Sequence, residues 1–549
     1  MKAAPKTTGL RYWMLRVLEE CDNVSSGFSA DAVHDLRVSL RRCRSVADGM
    51  TAMDPEPDWK AMKKAGKKLF QSLGALRDVQ VMMDWIEKLE EEDEKATQAN
   101  PSASPTEQSQ AEAPNLNVVV QTDNRDPAAQ TLLHILKSRE NEHKHQARSA
   151  LEEFDRKQWR QWSQSLPQRA ARIRPGSAVF KHLALERWTA ARELHVRAIR
   201  NRSQVALHTL RIGIKRFRYI VENFLPEENK LWSDDLKHMQ DLLGEVHDLD
   251  VLWATALSCR VFPDEASRKA WHARIIEERK KRVDEYRVKN MGADSLWNKW
   301  RAGLPEGKQI QQIATRRMKL WAKTLDPDGS HSERVARLSL QLFDGLSAPG
   351  LLAFNPLLPE KTQKELVSDS RASLYAAALM HDVGKANGNK GHHKESMHLI
   401  QKHGTPLGWK ARNIELAAIV ARFHCGTLPT RSHKALRDLP SDVQKTIILL
   451  SAILRLANAL DAPHDGKIRR LKVEKPALEV GNRWHRGNSV AQRQTPARNE
   501  ALVINAEGYT DGSDTAQAIA AERYLLETVL RRPILVRPMK NGTSTGRAA

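Results

Sequence analysis

From residue 8 to about residue 300 the apolar residues recur at three- and four-residue intervals, with few strict alternations. This spacing predicts a succession of amphipathic helices. One stretch breaks the pattern: EKLEEEDEKATQANPSASPTEQSQAEAPNLNV (87–118) turns acidic, then rich in Ser, Ala, Gln and Pro, and nearly lacks large apolar residues. Such a segment cannot bury enough surface to offset the entropy of ordering, so a disordered insertion is expected over about 88–126. Helical patterning resumes near Pro127, and a second, histidine-rich helical region spans about 305–462. Beyond Asp461 the texture changes: IRRLKVEK, ALEV and ALVINAEG read as strands, AAERYLLETVL as a helix and PILVRP as a last strand. The expected fold class is therefore mainly α, closed by a small α+β unit over 463–540. A basic loop is expected at 482–499 and a disordered tail at 541–549.

Within the first region one phrase is stated twice. VHDLRVSLRRCR (33–44) and LHTLRIGIKRFR (207–218) each place a histidine and then cations three, seven, eight and ten residues downstream. The cations are Arg37, Arg41, Arg42 and Arg44 in one copy, and Arg211, Lys215, Arg216 and Arg218 in the other. At about 100° per residue, offsets of zero, three, seven and ten fall within an arc of about 80°. His34, Arg37, Arg41 and Arg44 thus form one stripe, and His208, Arg211, Lys215 and Arg218 a second. Like charges stacked on one side of a helix repel, and an anion laid along them relieves the repulsion. The repeat continues in LGALRDVQV (73–81) and LGEVHDLDV (243–251), where Asp78 and Asp248 are natural partners for the basic residues. Charged helical residues ordinarily do no more than solvate a surface, but solvation does not account for matched spacing in two copies.

The chain's 549 residues exceed one hydrophobic core, so about two to four domains are expected. A net charge of +21 favours a polyanionic partner: nucleic acid, anionic lipid or a phosphate polymer. The four cysteines have no CxxC spacing, which fits a reducing compartment and excludes a zinc ribbon. The N-terminus has no apolar signal region, and no run is read as the roughly 18 apolar residues of a membrane span, so the chain is expected in the cytoplasm and off the membrane.

The paired phrases with their LGxxRD and LGxxHD partners resemble the two halves of a CHAD domain, over about residues 8–300 apart from the acidic insertion. The resemblance implies two pseudo-repeated antiparallel four-helix bundles around a basic cavity that binds inorganic polyphosphate. It implies a lining of His34, Arg37, Arg41, Arg42, Arg44, His208, Arg211, Lys215, Arg216 and Arg218, extended by Arg77 and by Lys63, Lys64, Lys67 and Lys68. The chemistry agrees, because polyphosphate offers charge and no bases to stack on. Aromatic residues are only 5% of the chain and none lies on a stripe, which weighs against nucleic acid as the specific ligand.

The second region carries His331 in GSHSERVARL, His381 and Asp382 in ALMHDVGK, His392 and His393 in GHHKES, and His424 in RFHCGTLP. Asn458 and Asp461 follow in ILRLANALD. An ordered set of imidazoles and carboxylates on separate helices suits a divalent metal, and Mn, Fe, Mg and Zn all tolerate such ligands. The set resembles the HD superfamily, and in particular the C-terminal part of the exopolyphosphatase and guanosine pentaphosphate phosphohydrolase family, over about 305–540. The resemblance implies an all-α HD domain in which His331, His381 and Asp382 hold metal with an acidic residue of the last helix. Asn458 stands at that acidic position, and Asp461, three residues on, is the alternative. His392, His393 and His424 would contact phosphate or a second metal, and His381 and Asp382 would be the catalytic pair if the centre is active. The N-terminal half has no glycine-rich phosphate loop of the kind in the actin-like fold of exopolyphosphatases.

Two readings follow: a polyphosphate-binding protein with a phosphate-binding HD-type module, or a metal-dependent phosphohydrolase acting on polyphosphate or guanosine polyphosphate nucleotides. Whether the chain is an enzyme, and its oligomeric state, stay open at this level.

Overall fold

The computed structural model describes residues 9–99, 126–201, 203–348, 351–352, 359–474, 478–479, 495–496 and 501–539. The chain divides into two compact units that part between Gln309 and Ile310, with Met53–Pro55 belonging to the second.

The first unit is helical: α1 (Leu10–Gly27), α2 (Ala30–Met50), α3 (Pro57–Ala99), α4 (Pro127–Glu152), α5 (Arg156–Ala170), α6 (Ala178–Asn201), α7 (Gln204–Phe224), α8 (Pro226–Cys259), α9 (Glu265–Asn290) and α10 (Leu296–Ala302). Helices α1 to α4 pack as sequential neighbours and so do α6 to α9, giving two four-helix halves. Each half ends in a short helix with paired tryptophans, Trp159 and Trp162 in α5 and Trp297 and Trp300 in α10, all buried. The repeat therefore extends beyond the basic phrases. It also reaches the helix starts: Ser29 and Ser203, each five residues before its histidine, accept hydrogen bonds from Ala32 N at 3.3 Å and Ala206 N at 3.2 Å. Each satisfies an otherwise orphaned N–H of the first turn.

The apolar face of α2 (Val33, Leu36, Leu40, Cys43) and that of α7 (Leu207, Leu210, Ile214, Phe217) are buried in their own halves. The halves join where α2 packs on α7 and α3 on α8. Trp85, Ile86 and Leu89 of α3 share one apolar cluster with Leu249 and Leu252 of α8 and Trp271 of α9.

The insertion expected from about 88 begins later. Helix α3 runs unbroken to Ala99, because the acidic run Glu90–Glu94 and the Lys and Ala after it are good helix formers. The rest of that insertion and the tail at 541–549 lie outside the described residues, as does nearly all of the basic loop.

The second unit holds α11 (Lys308–Leu325), α12 (Gly329–Ser347), α13 (Glu360–Met380), a 3-10 turn (Val383–Asn387), α14 (His392–His403), α15 (Ala411–Arg422) and α16 (Ser441–Leu460). After them come β1 (Leu471–Val473), β2 (Leu478–Glu479), β3 (Thr495–Pro496), β4 (Leu502–Ala506), α17 (Asp514–Glu522), α18 (Tyr524–Leu530) and β5 (Ile534–Pro538). Strand β4 is central, antiparallel to β1 and parallel to β5, and β2 pairs with β3. The expected α+β unit is not a separate core, since Ile504, Leu526 and Ile534 belong to the same apolar cluster as Leu342, Leu374 and Ile453. By length and composition α16 could cross a membrane, with a mean hydropathy of 1.4 in its most apolar window, but 78% of that window is buried inside this unit. The expectation that no run reaches that length therefore overlooked α16.

Candidate functional site

In the first unit the two stripes face one another across the α2–α7 contact. Burial holds the Arg37 guanidinium down to about 10 despite Asp78, and the neighbouring charges Arg41, Arg77 and Arg211 push the same way. Lys215 is pushed down to about 7 by burial, then by Arg41, Arg211, Arg37 and Arg44. Arg44 is also lowered by burial. Along the two stripes, four guanidinium nitrogens are buried with no hydrogen-bond partner among the described residues: Nη1 of Arg37 and Nε of Arg41, Arg44 and Arg211. Buried donors are normally paired, so such a group of orphans marks a place shaped for an acceptor that comes from outside.

The repeated Leu-Gly has a local role here. A Cβ on Gly74 would lie 2.9 Å from Nη1 of Arg37, and one on Gly244 would lie 3.8 Å from Nε of Arg211. Gly74 lets α3 run close beneath Arg37, whereas α8 passes Arg211 at ordinary contact distance. Phe70 supports the same cations, with Arg44 at 4.6 Å and Arg37 at 5.1 Å from its ring centroid.

Asp78 and Asp248 lie in the same cluster. Asp248 is pushed up to about 6 by burial, against Arg211 and reinforced by Asp78. The histidines at the head of each stripe sit beside the LGxx(R/H)D partner: His34 is lowered by burial and Arg77, and His208 lies 3.2 Å from His247. His247 itself is held at about 4 by burial and Arg211.

Other expected lining residues lie elsewhere or are already paired. Glu222 of α7 takes Arg42 at 2.8 Å and Arg218 at 2.7 Å. Lys63 pairs with Asp48, and Lys68 with Glu153. Lys64 is exposed beside Lys68 along a surface groove with Glu153 and Phe154, and Lys67 and Arg216 are exposed. The acids that neutralise Arg42 and Arg218 come from one residue, Glu222, which no spacing rule singles out.

In the second unit five helices deliver one cluster. His331 comes from α12, His381 and Asp382 from the end of α13, and His392 from the start of α14. His424 follows α15, and Asn458 lies on α16. Burial is nearly complete: His381 is 0% exposed, His331 1%, and Asp382 and His424 2% each.

The four rings share one arrangement. Nδ1 of His381 lies 2.8 Å from the Ala378 carbonyl, that of His424 2.8 Å from Ala421 O, and that of His392 2.8 Å from Asn389 O. Nδ1 of His331 lies 2.7 Å from Asp461 Oδ2. Carbonyls and carboxylates only accept, so each Nδ1 carries the proton, and Nε2 of His381, His392 and His424 presents a lone pair inward. Those lone pairs converge on Asp382, whose carboxylate is 3.3 Å from His381 and His392 and 3.5 Å from His424. Nε2 of His381 and Oδ1 of Asp382 are buried without a hydrogen bond. Converging bare nitrogens backed by Nδ1–H anchors could hold a divalent cation, and the residues present fit one. His331, His381 and Asp382 form one such group, and Asp382, His392 and His424 another.

Asn458 offers its side-chain oxygen 2.9 Å from Nε2 of His331. Asp461, the alternative ligand, is committed elsewhere: Arg334 Nε donates to both its oxygens at 3.0 and 2.9 Å, and the Gly466 amide at 3.2 Å. It orients His331 rather than facing the cluster. His464 stacks on His331 with centroids 3.7 Å apart and is held by Asp328 at 2.8 Å. Lys385 Nζ lies 2.6 Å from Asp382 Oδ2. Lys385, Arg334 and His464 sit in or beside the motifs; only their three-dimensional neighbours reveal their parts.

The turn after Asp382 is tied in place. A Cβ on Gly384 would lie 2.1 Å from His392 O, so only glycine lets α14 approach. Ser396 Oγ accepts from Gly384 N at 2.9 Å and donates to His381 O at 2.6 Å.

Two family models match the chain: the CHAD domain over residues 14–257 and the Ppx/GppA phosphatase domain III over residues 313–489. The first match ends within α8, so α9 and α10 lie beyond it; the second runs from α11 past β2. No curated protein matches the chain.

Proposed function

We propose that this chain, a CHAD domain joined to a Ppx/GppA phosphatase domain III, binds inorganic polyphosphate between the α2 and α7 stripes. Both matched domains point to phosphate-polymer metabolism. The observation that carries the reading is the set of unpartnered guanidinium nitrogens on Arg37, Arg41, Arg44 and Arg211, crowding Lys215 with no carboxylate bound to them. Guanidinium groups match phosphate oxygens in geometry and charge, and a flexible anionic chain relieves the mutual repulsion of the stripes. The aromatic face of Phe70 is already covered by Arg37 and Arg44, which argues against base stacking on it.

The test is charge reversal at pseudo-equivalent positions. Arg37→Glu with Arg211→Glu should remove detectable polyphosphate binding in a titration, while wild-type affinity should fall steeply between 50 and 200 mM salt as counterions are released. Unchanged affinity in the double variant refutes the proposal. Competition by duplex DNA at equal phosphate concentration should be weak.

A second reading has its own observation, the three Nε2 lone pairs of His381, His392 and His424 converging on Asp382. Here the second unit is a metal-dependent phosphohydrolase acting on polyphosphate or a guanosine polyphosphate nucleotide. His331, His381, Asp382 and the Asn458 oxygen would hold one divalent cation, and Asp382, His392 and His424 a second. Such a cation lowers the pKa of bound water and polarises a phosphoryl oxygen. Lys385, beside Asp382, is placed to meet a phosphate oxygen. With Asn458 in place of a carboxylate the centre carries one negative charge less, which weakens metal retention. His381→Ala should abolish metal binding and any phosphate release, and Asn458→Asp should raise metal affinity, both read by elemental analysis and phosphate assay. A purified protein that takes up no divalent metal rules this reading out.

A further inference from the structure

Beside the cluster on Asp382 lies a thiol that no motif assigns. Cys425 directly follows His424, and its Sγ sits 3.7 Å from Nε2 of His392. Donor atoms of His392, His393 and Cys425 all lie within 4.8 Å of one another.

The loop that carries the thiol is held from behind. Arg455 of α16, 4% exposed, donates from Nη1 to Phe423 O and from Nη2 to Gly426 O, each at 3.1 Å. Its Nε donates to Glu522 at 2.7 Å, so the guanidinium is fixed in turn. One buried side chain thus clamps the carbonyls on either side of His424 and Cys425, setting both at the edge of the cluster.

The adjoining geometry calls for a cation. Nε2 of His392 and Nε2 of His424 face each other at 3.1 Å, while both rings have their Nδ1–H committed to a backbone carbonyl. Two lone pairs at that distance, both beside Asp382 Oδ1, repel unless something positive lies between them.

We propose that Cys425 is a thiolate ligand to a divalent metal held at His392, which makes this position selective for thiophilic ions such as zinc or ferrous iron over manganese and magnesium. The inference rests on the reading that His392, His424 and Asp382 hold a metal. On binding, the Sγ–H bond breaks, the sulfur lone pair goes to the metal, and the proton leaves to solvent or buffer. Soft sulfur added to an imidazole and carboxylate set shifts preference toward the borderline-soft ions.

The test uses the full chain stripped of metal and loaded with cobalt(II). Wild type should show an intense near-ultraviolet sulfur-to-cobalt charge-transfer band beside the weak visible bands of bound cobalt. Cys425→Ser should lose the near-ultraviolet band and keep the visible ones, and Cys259→Ser, far along the sequence, should keep both. In competition, the zinc-over-manganese preference should fall about tenfold or more in Cys425→Ser. Visible bands with no charge-transfer band in wild type, or an unchanged preference in the variant, overturn the thiolate ligand and leave the metal reading intact. Failure of wild type to bind cobalt at all overturns both.

Discussion

At the scale of single residues, Lys215 carries the sharpest prediction. With its ammonium pushed down to about 7, near neutral pH about half of the molecules hold it as the free amine. A bound polyanion favours the charged form, so binding takes up protons and affinity rises as pH falls through 7. Asp248, at about 6, adds in the same direction below that, because protonation removes a negative charge facing the ligand. Asp78 faces the same cluster and is raised by burial, while burial lowers His34, His208 and His247, the last to about 4. Polyphosphate titrations should therefore tighten from pH 8 to pH 6, and Lys215→Arg should flatten the change between 8 and 7 while keeping the step near 6. Calorimetry at pH 7 in two buffers of different ionisation enthalpy should report net proton uptake; equal heats in both buffers count against this account. The same scale shows where residue types mislead. Arg218 has the stripe offset of Arg44 and Arg42 directly follows Arg41, yet Glu222 neutralises both, and the Arg42 pair ties α2 to α7.

At the scale of elements, the repeated Leu-Gly in α3 and α8 makes an asymmetric prediction. Glycine inside a helix is costly relative to alanine, so Gly244→Ala, with its Cβ in ordinary contact with Arg211, should stabilise the fold by about 0.5–1 kcal/mol and leave binding intact. Gly74→Ala puts a methyl 2.9 Å from Nη1 of Arg37 and must displace that guanidinium. It should weaken polyphosphate binding several-fold, and thermal melts run beside titrations separate the two effects. The helices themselves were legible from periodicity and from the duplicated phrases. Helix α3 was not legible to its end, because an acidic, alanine-containing run can be either solvated helix or open chain, and charge alone does not decide between them. Helix α16 was passed over as an apolar run because polar residues such as Gln444 and Arg455 interrupt it, and only the fold shows these two buried and partnered.

At the scale of the whole molecule, two units with separate cores should answer to separate ligands. A ligand that binds only the folded form stabilises it by about 2.7 kcal/mol at a hundred times its Kd. Polyphosphate should therefore raise the melting transition of residues up to Gln309, and zinc or manganese that of residues from Ile310. Scanning calorimetry of the full chain with each ligand in turn reads both, and a polyphosphate shift confined to the second unit would contradict the assignment of the basic stripes. The C-terminal strands belong to the metal-site unit in this respect, since their core is continuous with α12, α13 and α16.

The sequence by itself determined the helical class, the two-fold repeat, the stripes of cations and the ordered set of histidines. All of these are spacings along a covalent chain, and a helix turns such spacing directly into a shared face. Only the tertiary structure decided which of those groups remain without a partner. Glu222, Asp48 and Glu153 silence some cations, Arg334 claims Asp461, and backbone carbonyls turn three imidazoles inward. The pairings of Arg42, Lys63, Lys68 and Asp461 act through space between residues distant in sequence, and they leave no period behind to be read.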